Sequence, residues 1–216
     1  MKIALCLFGQ VRDLEQGYAE YRDKLFSRYD VDVFAHLWKD DKISKFYELY
    51  NPTSAKVETQ IQFNTTKYGK AYGLEPWHST AYERTFNSIS QFYSFKQVCK
   101  LRQEYESGHG IKYDISIKGR LDNWITNFDI DLLSVEADKY YVPSMPQGFM
   151  YNDTLAVGSS DVMDIVGNRY NRLEEWYNSQ DYNFIPEYVT DKVLREKHIE
   201  IVKHPSIVCD LYRIKN

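Results

Sequence analysis

Six apolar residues in unbroken succession, Ile3–Phe8 in KIALCLF, restrict this chain more than any other stretch. A strand with one face in water alternates apolar and polar side chains. A strand without alternation must be covered on both faces, as in parallel sheets flanked by helices. The run ends in Gly9-Gln10-Val11-Arg12-Asp13, where glycine allows a sharp turn or the close approach of a ligand to the backbone. Tyr18, Tyr21, Leu25, Phe26 and Tyr29 then recur at helical spacing, and Val31–Trp38 (VDVFAHLW) has the composition of a second strand. Strand, helix and strand within the first forty residues make a βαβ unit.

The rest of the chain keeps the alternation of elements. Asp40-Asp41 opens a polar loop, Lys42–Tyr50 reads as a short helix stopped before Pro52, and Ala55–Phe63 alternates as a third strand. Thr65–Tyr82 has Gly69, Gly73 and Pro76 and no period, which predicts a loop or lid. Ser88-Ile89-Ser90-Gln91 matches a capping box, and the helix it predicts runs to about Glu106 before Gly108 and Gly110. Tyr113–Trp124 (YDISIKGRLDNW) predicts the next strand, followed by short strands at Lys139–Val142 and Asn152–Gly158. One apolar stripe from Val162 to Tyr177 predicts a helix after Ser159-Ser160, Pro186 opens another, and Ile199–Val202 is expected as the terminal strand. The pattern predicts an α/β sandwich with a mostly parallel sheet, mixed in its second half. The 10 Gly and 6 Pro are scattered and mark no linker, so residues 1–216 are expected to form a single domain.

In YDISIKGRLDNW, Ile115, Ile117 and Leu121 alternate with Ser116, Lys118, Arg120 and Asp122. The charged set shares one face, and Arg120 and Asp122 fall where the strand should end. Ligands of open α/β sheets bind outside the carboxyl ends of strands. A carboxylate there suits Mg²⁺ or Mn²⁺, and an arginine suits a diphosphate; a plain Arg–Asp ion pair is the structural alternative. Lys118, one pleat deeper, is a further candidate for the same anion. Gly9, Gln10 and Arg12 occupy the equivalent position after the first strand, without a GxGxxG or GxxxxGK[ST] pattern. Trp38, at the end of the second strand, is placed to stack on a base. Glu187 and Asp191 lie one helical turn apart, where either carboxylate could act as a general base; Asp153 precedes an apolar strand and joins them as a candidate. His204 is a candidate metal ligand. Asp129-Ile130-Asp131 is a literal DxD whose aspartates suit helix capping better, and Asp40-Asp41 suits a solvated loop.

A net charge of −4 argues against a nucleic-acid partner. The three cysteines form no CxxC pair and are expected as buried thiols. No stretch reaches the length of a membrane span, and the apolar run after Lys2 is too short for a signal-peptide core, so a soluble, cytoplasmic chain is expected. The 19 Tyr suit either core packing or stacking on sugars.

The first strand ending in Gly9-Gln10-Val11-Arg12, the helix leading into YDISIKGRLD, and NDTLAVGSS before another helix together resemble the glycosyltransferases of the GT-A fold, in a divergent group with RxD in place of DxD. The resemblance implies a Rossmann-like three-layer sandwich with a mostly parallel, mixed central sheet, a nucleotide-sugar donor, a glycan or other hydroxyl acceptor, and Mn²⁺ or Mg²⁺ on the diphosphate. The family's second motif aspartate falls on Asp122 and its first on Arg120, a departure that removes one carboxylate from the metal. Its C-terminal metal-binding histidine matches His204, and its acceptor-side acid matches Glu187 or Asp191. A nucleotidyltransferase-like α/β enzyme and a non-catalytic carbohydrate-binding domain are the alternatives.

Overall fold

The computed structural model describes residues 1–65, 80–144, 151–177 and 185–212. Its first half runs β1 (Ile3–Gly9), α1 (Leu14–Tyr21, continued by a π-helical turn over Arg22–Phe26), β2 (Val31–Trp38), α2 (Ile43–Tyr50), β3 (Ser54–Glu58), α3 (Thr80–His109) and β4 (Ile115–Gly119). Its second half runs β5 (Asn123–Phe128), β6 (Lys139–Pro143), β7 (Ala156–Gly158), α4 (Ser160–Gly167), α5 (Leu173–Tyr177), α6 (Pro186–Glu196), β8 (Glu200–His204) and β9 (Ile207–Leu211). Seven strands form one sheet in the order β3-β2-β1-β4-β7-β6-β8, and β5 and β9 form a separate antiparallel pair. Pairings β2–β3, β1–β2, β1–β4 and β6–β8 are parallel; β7 runs against both β4 and β6. The fold is therefore α/β with a mostly parallel, mixed central sheet between helical layers.

The unbroken apolar run of β1 serves two cores at once. Ile3, Leu5 and Leu7 face α1, α2 and the β5–β9 pair, while Ala4, Cys6 and Phe8 face α3 and α4. All six side chains are buried, as a strand covered on both faces requires. Cys6, Cys99 and Cys209 are free and buried. Among the described residues no helix is long and apolar enough to cross a membrane.

Several boundaries differ from the sequence pattern. β3 stops at Glu58 because its neighbour among the described residues, β2, ends at Trp38, opposite Glu58. The helix expected from Ser88 begins at Thr80, so the Ser-Ile-Ser-Gln stretch lies inside α3, where Ser90 is buried and its hydroxyl receives the Trp38 indole N–H at 3.0 Å. Residues 66–79 of the expected loop lie outside the described residues. YDISIKGRLDNW is not one strand: β4 ends at Gly119, residues 121–122 form a turn, and β5 leaves to pair with β9, a strand that the pattern did not reveal. Asn152 starts no strand; its side-chain oxygen receives the Thr154 N–H at 2.9 Å in a local turn before β7. The Val162–Tyr177 stripe is broken into α4, a 3₁₀ segment (Asn168–Arg172) and α5.

Candidate functional site

β1 connects through α1 to β2 on one side, while β4, reached through α3, lies on its other side. The crossover helices also change face here: α1 and α2 pack on one side of the sheet and α3 on the other. The β1/β4 boundary is thus a topological switch point, where the loops leaving two adjacent strands diverge and open a crevice. A cleft of about 280 Å³ lies there. Gly9, Gln10 and Arg12 line it from the end of β1, Trp38 from the end of β2, and Arg120 and Asp122 from the turn after β4. Asn87, Ser88, Ser90 and Gln91 of α3 line it too, with Phe8, Gln60 and Pro186.

Gly9 has φ +101°, a backbone conformation that a side chain would strain, and open space where a Cβ would stand. The Arg120–Asp122 turn is clamped from below. A Cβ on Gly17 of α1 would lie 1.8 Å from the carbonyl oxygen of Leu121, so only glycine lets the helix backbone sit against the turn. Tyr21 donates its hydroxyl hydrogen to the Arg120 carbonyl at 3.0 Å and accepts from the Asn123 amide at 2.9 Å. Within the turn, Arg120 Nε and Nη2 donate to Asp122 Oδ1 and Oδ2 at 2.8 and 2.7 Å, a two-pronged pair that uses both carboxylate oxygens.

Trp38 is 3% exposed. Tyr93 stacks on its ring at 5.8 Å and an interplanar angle of 11°, so one face is already used and the indole acts as a wall. A chain of polar contacts joins the walls: Gln10 donates to Gln60 at 3.2 Å, and Gln60 donates to the Ser90 hydroxyl at 3.3 Å.

Lys118 does not reach the cleft. It is fully buried beneath it, with its ammonium 5.7 and 5.8 Å from the ring centroids of Phe8 and Phe95, and it donates to the Asp153 carbonyl and to Asp153 Oδ2. Burial pulls its pKa down to about 8, against the opposing pull of Asp153. Burial alone would raise the Asp153 carboxyl, but Lys118, Arg169 and Arg120 outweigh it and hold the group below the usual carboxylate range. Gln91 donates to Asp153 Oδ2 at 3.0 Å and so links this buried pair to the cleft wall.

Glu187 follows Pro186 at the start of α6 and is 9% exposed; burial first, and the charge of Asp153 second, push its pKa up to about 7. Arg169 is fully buried with its guanidinium 4.5 Å from the Phe92 ring centroid and adds positive charge to the same region. Asp191, by contrast, pairs with Arg195 one turn along α6 at 2.7 Å. Neither carboxylate lines the cleft itself; from α6 that is done by Pro186, next to Glu187.

The residues expected to hold Mn²⁺ or Mg²⁺ do not converge. His204 is at the end of β8, three strand spacings of about 4.8 Å from β4. Its Nδ1 is engaged by Ser206, at 2.7 Å from the hydroxyl. Among the described residues no three His, Cys, Asp or Glu side chains cluster into a metal-ion site. The literal DxD is a capping device: Asp129 accepts from the Asp131 N–H, and Arg28 bridges both carboxylates at 3.1 and 3.0 Å. Asp40 accepts from the Lys42 N–H at 2.9 Å in the loop before α2.

Gln60, Asn87 and Arg169 have no site role in the sequence pattern, and Ser88, Ser90 and Gln91 are expected there only as a capping box. The available signal was polarity on an apolar stripe: Ser88, Ser90 and Gln91 interleave with Ile89 and Phe92, and Arg169 lies between Val166 and Tyr170. A family model described as a domain of unknown function, DUF7796, matches residues 1–212. No curated protein matches the chain.

Proposed function

We propose that this chain, which belongs to the DUF7796 family, is a glycosyltransferase of the GT-A type that moves a sugar from a nucleotide-sugar donor to a glycan or other hydroxyl acceptor. One observation carries the reading: six residues from three separate strand ends, Gly9, Gln10, Arg12, Trp38, Arg120 and Asp122, surround a single cleft at the switch point of a mixed α/β sheet. Two arginines in such a cleft suit a diphosphate, and a wall of amides and hydroxyls suits a ribose and base.

In this reading the donor diphosphate lies against the Gly9 turn, with Arg12 and Arg120 meeting the charge that grows on the leaving phosphate. Glu187 takes the proton from the acceptor hydroxyl. Of the three acidic candidates, Asp191 is paired with Arg195 and Asp153 with Lys118, whereas the Glu187 carboxylate titrates near neutrality, which suits a general base. Asp153 and Lys118 position the wall through Gln91.

The test is turnover of a panel of nucleotide sugars, read as nucleoside diphosphate released in the presence of a glycan array. One donor should be consumed, with loss of release in Arg120→Gln. If no nucleotide sugar is consumed and no nucleoside diphosphate raises the melting temperature, the donor-site reading fails.

A further inference from the structure

We infer that the cleft binds the diphosphate of its donor without a divalent cation, with Arg120 supplying the positive charge and Asp122 steering it. This rests on the nucleotide-sugar reading above.

The pairing at the turn carries the inference. Both oxygens of Asp122 accept from the Arg120 guanidinium, and Asp122 is only 2% exposed. A dication on this carboxylate would need an oxygen at about 2.1 Å, and so would stand beside a guanidinium of like charge. The turn has little room to separate the two. Gly17 presses on the Leu121 carbonyl, Tyr21 holds the Arg120 carbonyl, and the Tyr212 N–H holds the Asp122 carbonyl at 3.1 Å.

The guanidinium keeps capacity to spare. An arginine has five N–H donors in a planar fork, and Arg120 spends two on Asp122. Its side chain is 22% exposed and lines the cleft, so the remaining donors are available to phosphate oxygens. Arg12 adds a second guanidinium from the β1 loop. Behind the wall Lys118 and Arg169 add positive charge, offset by Asp153. Asp122 fixes the fork in one orientation and lowers the ordering cost of phosphate binding.

The test measures nucleoside diphosphate affinity by calorimetry on the full chain, in EDTA and in saturating Mn²⁺ or Mg²⁺. The same diphosphate is expected to bind in both buffers with Kd within about threefold. Arg120→Gln is expected to weaken binding at least tenfold in EDTA. Asp122→Asn, which loosens the fork, is expected to weaken binding by the same factor in EDTA and in the dication buffer, whereas loss of a metal ligand would weaken it only where the dication is present. Binding that requires the dication overturns the inference and leaves the nucleotide reading standing, as does an Asp122→Asn loss of affinity confined to the dication buffer. If Asp122→Asn does not fold, the wild-type comparison between buffers decides. Absence of binding in either buffer overturns both the inference and the nucleotide reading.

Discussion

Tyr21 of α1 donates its hydroxyl hydrogen to the carbonyl oxygen of Arg120, 99 residues further along the chain, at 3.0 Å. The ring is fully buried, and its oxygen also accepts from Asn123. One phenol thus ties the first crossover helix to the turn that presents the arginine. Tyr21→Phe keeps the ring and removes only the oxygen. It should cost about 1–3 kcal/mol, because a buried carbonyl and an amide hydrogen lose a partner together. Urea denaturation checks this, and a stability equal to wild type would show that the bond does not hold the turn.

Gly17→Ala tests the neighbouring contact with the sign reversed from habit. Alanine in a helix ordinarily gains about 0.5–1 kcal/mol over glycine. Here the new methyl group would meet the Leu121 oxygen at 1.8 Å, so the helix or the turn must move. We expect a net loss of at least about 1–3 kcal/mol, as for other overpacked sites, together with weakened nucleotide binding. A stabilised Gly17→Ala variant would contradict this packing.

Lys118 and Asp153 form a buried pair, so each is worth more to its partner than to the fold as a whole. Lys118→Met alone leaves Asp153 buried with its nearest cation gone and should cost about 3–5 kcal/mol. Adding Asp153→Asn should recover part of that loss. A double-mutant cycle in denaturant measures the coupling; strictly additive losses would mean the pair does not act as a unit.

Glu187 gives a pH signature. Its pKa rises from 4.5 in the unfolded chain to about 7 in the folded one, so between these values the folded state holds the extra proton. Its contribution to stability is present at pH below 4.5 and is lost as pH rises through about 7. Melting temperatures of wild type should therefore fall across that window relative to Glu187→Gln. Transfer activity should rise over the same range as the carboxylate becomes available as a base, and fall above about 8 as Lys118 loses its proton. A flat rate profile between those pH values would remove Glu187 from the chemistry.

The sequence by itself determined the first half of the sheet and the address of the cleft. Apolar periodicity is a property of neighbouring residues, so β1, α1, β2 and α2 follow from it to within a few residues, as does the start of β4, and the positions of Gly9 and Trp38 at strand ends follow with them. The tertiary structure alone decided what those ends do. That Gly17 is a contact surface for Leu121, that Tyr21 reaches Arg120, and that β9 exists as the partner of β5 depend on residues about 80 to 100 positions apart, which leave no local period. The same holds for the carboxylates. Glu187 and Asp191 look alike in a helix, but one is buried beside Asp153 and the other is paired with Arg195 at the surface. Asp122 follows β4 and His204 ends β8, but the order β4-β7-β6-β8 sets them apart. A side chain's chemistry depends on its burial and on the charges that surround it, and both are set by packing between distant segments.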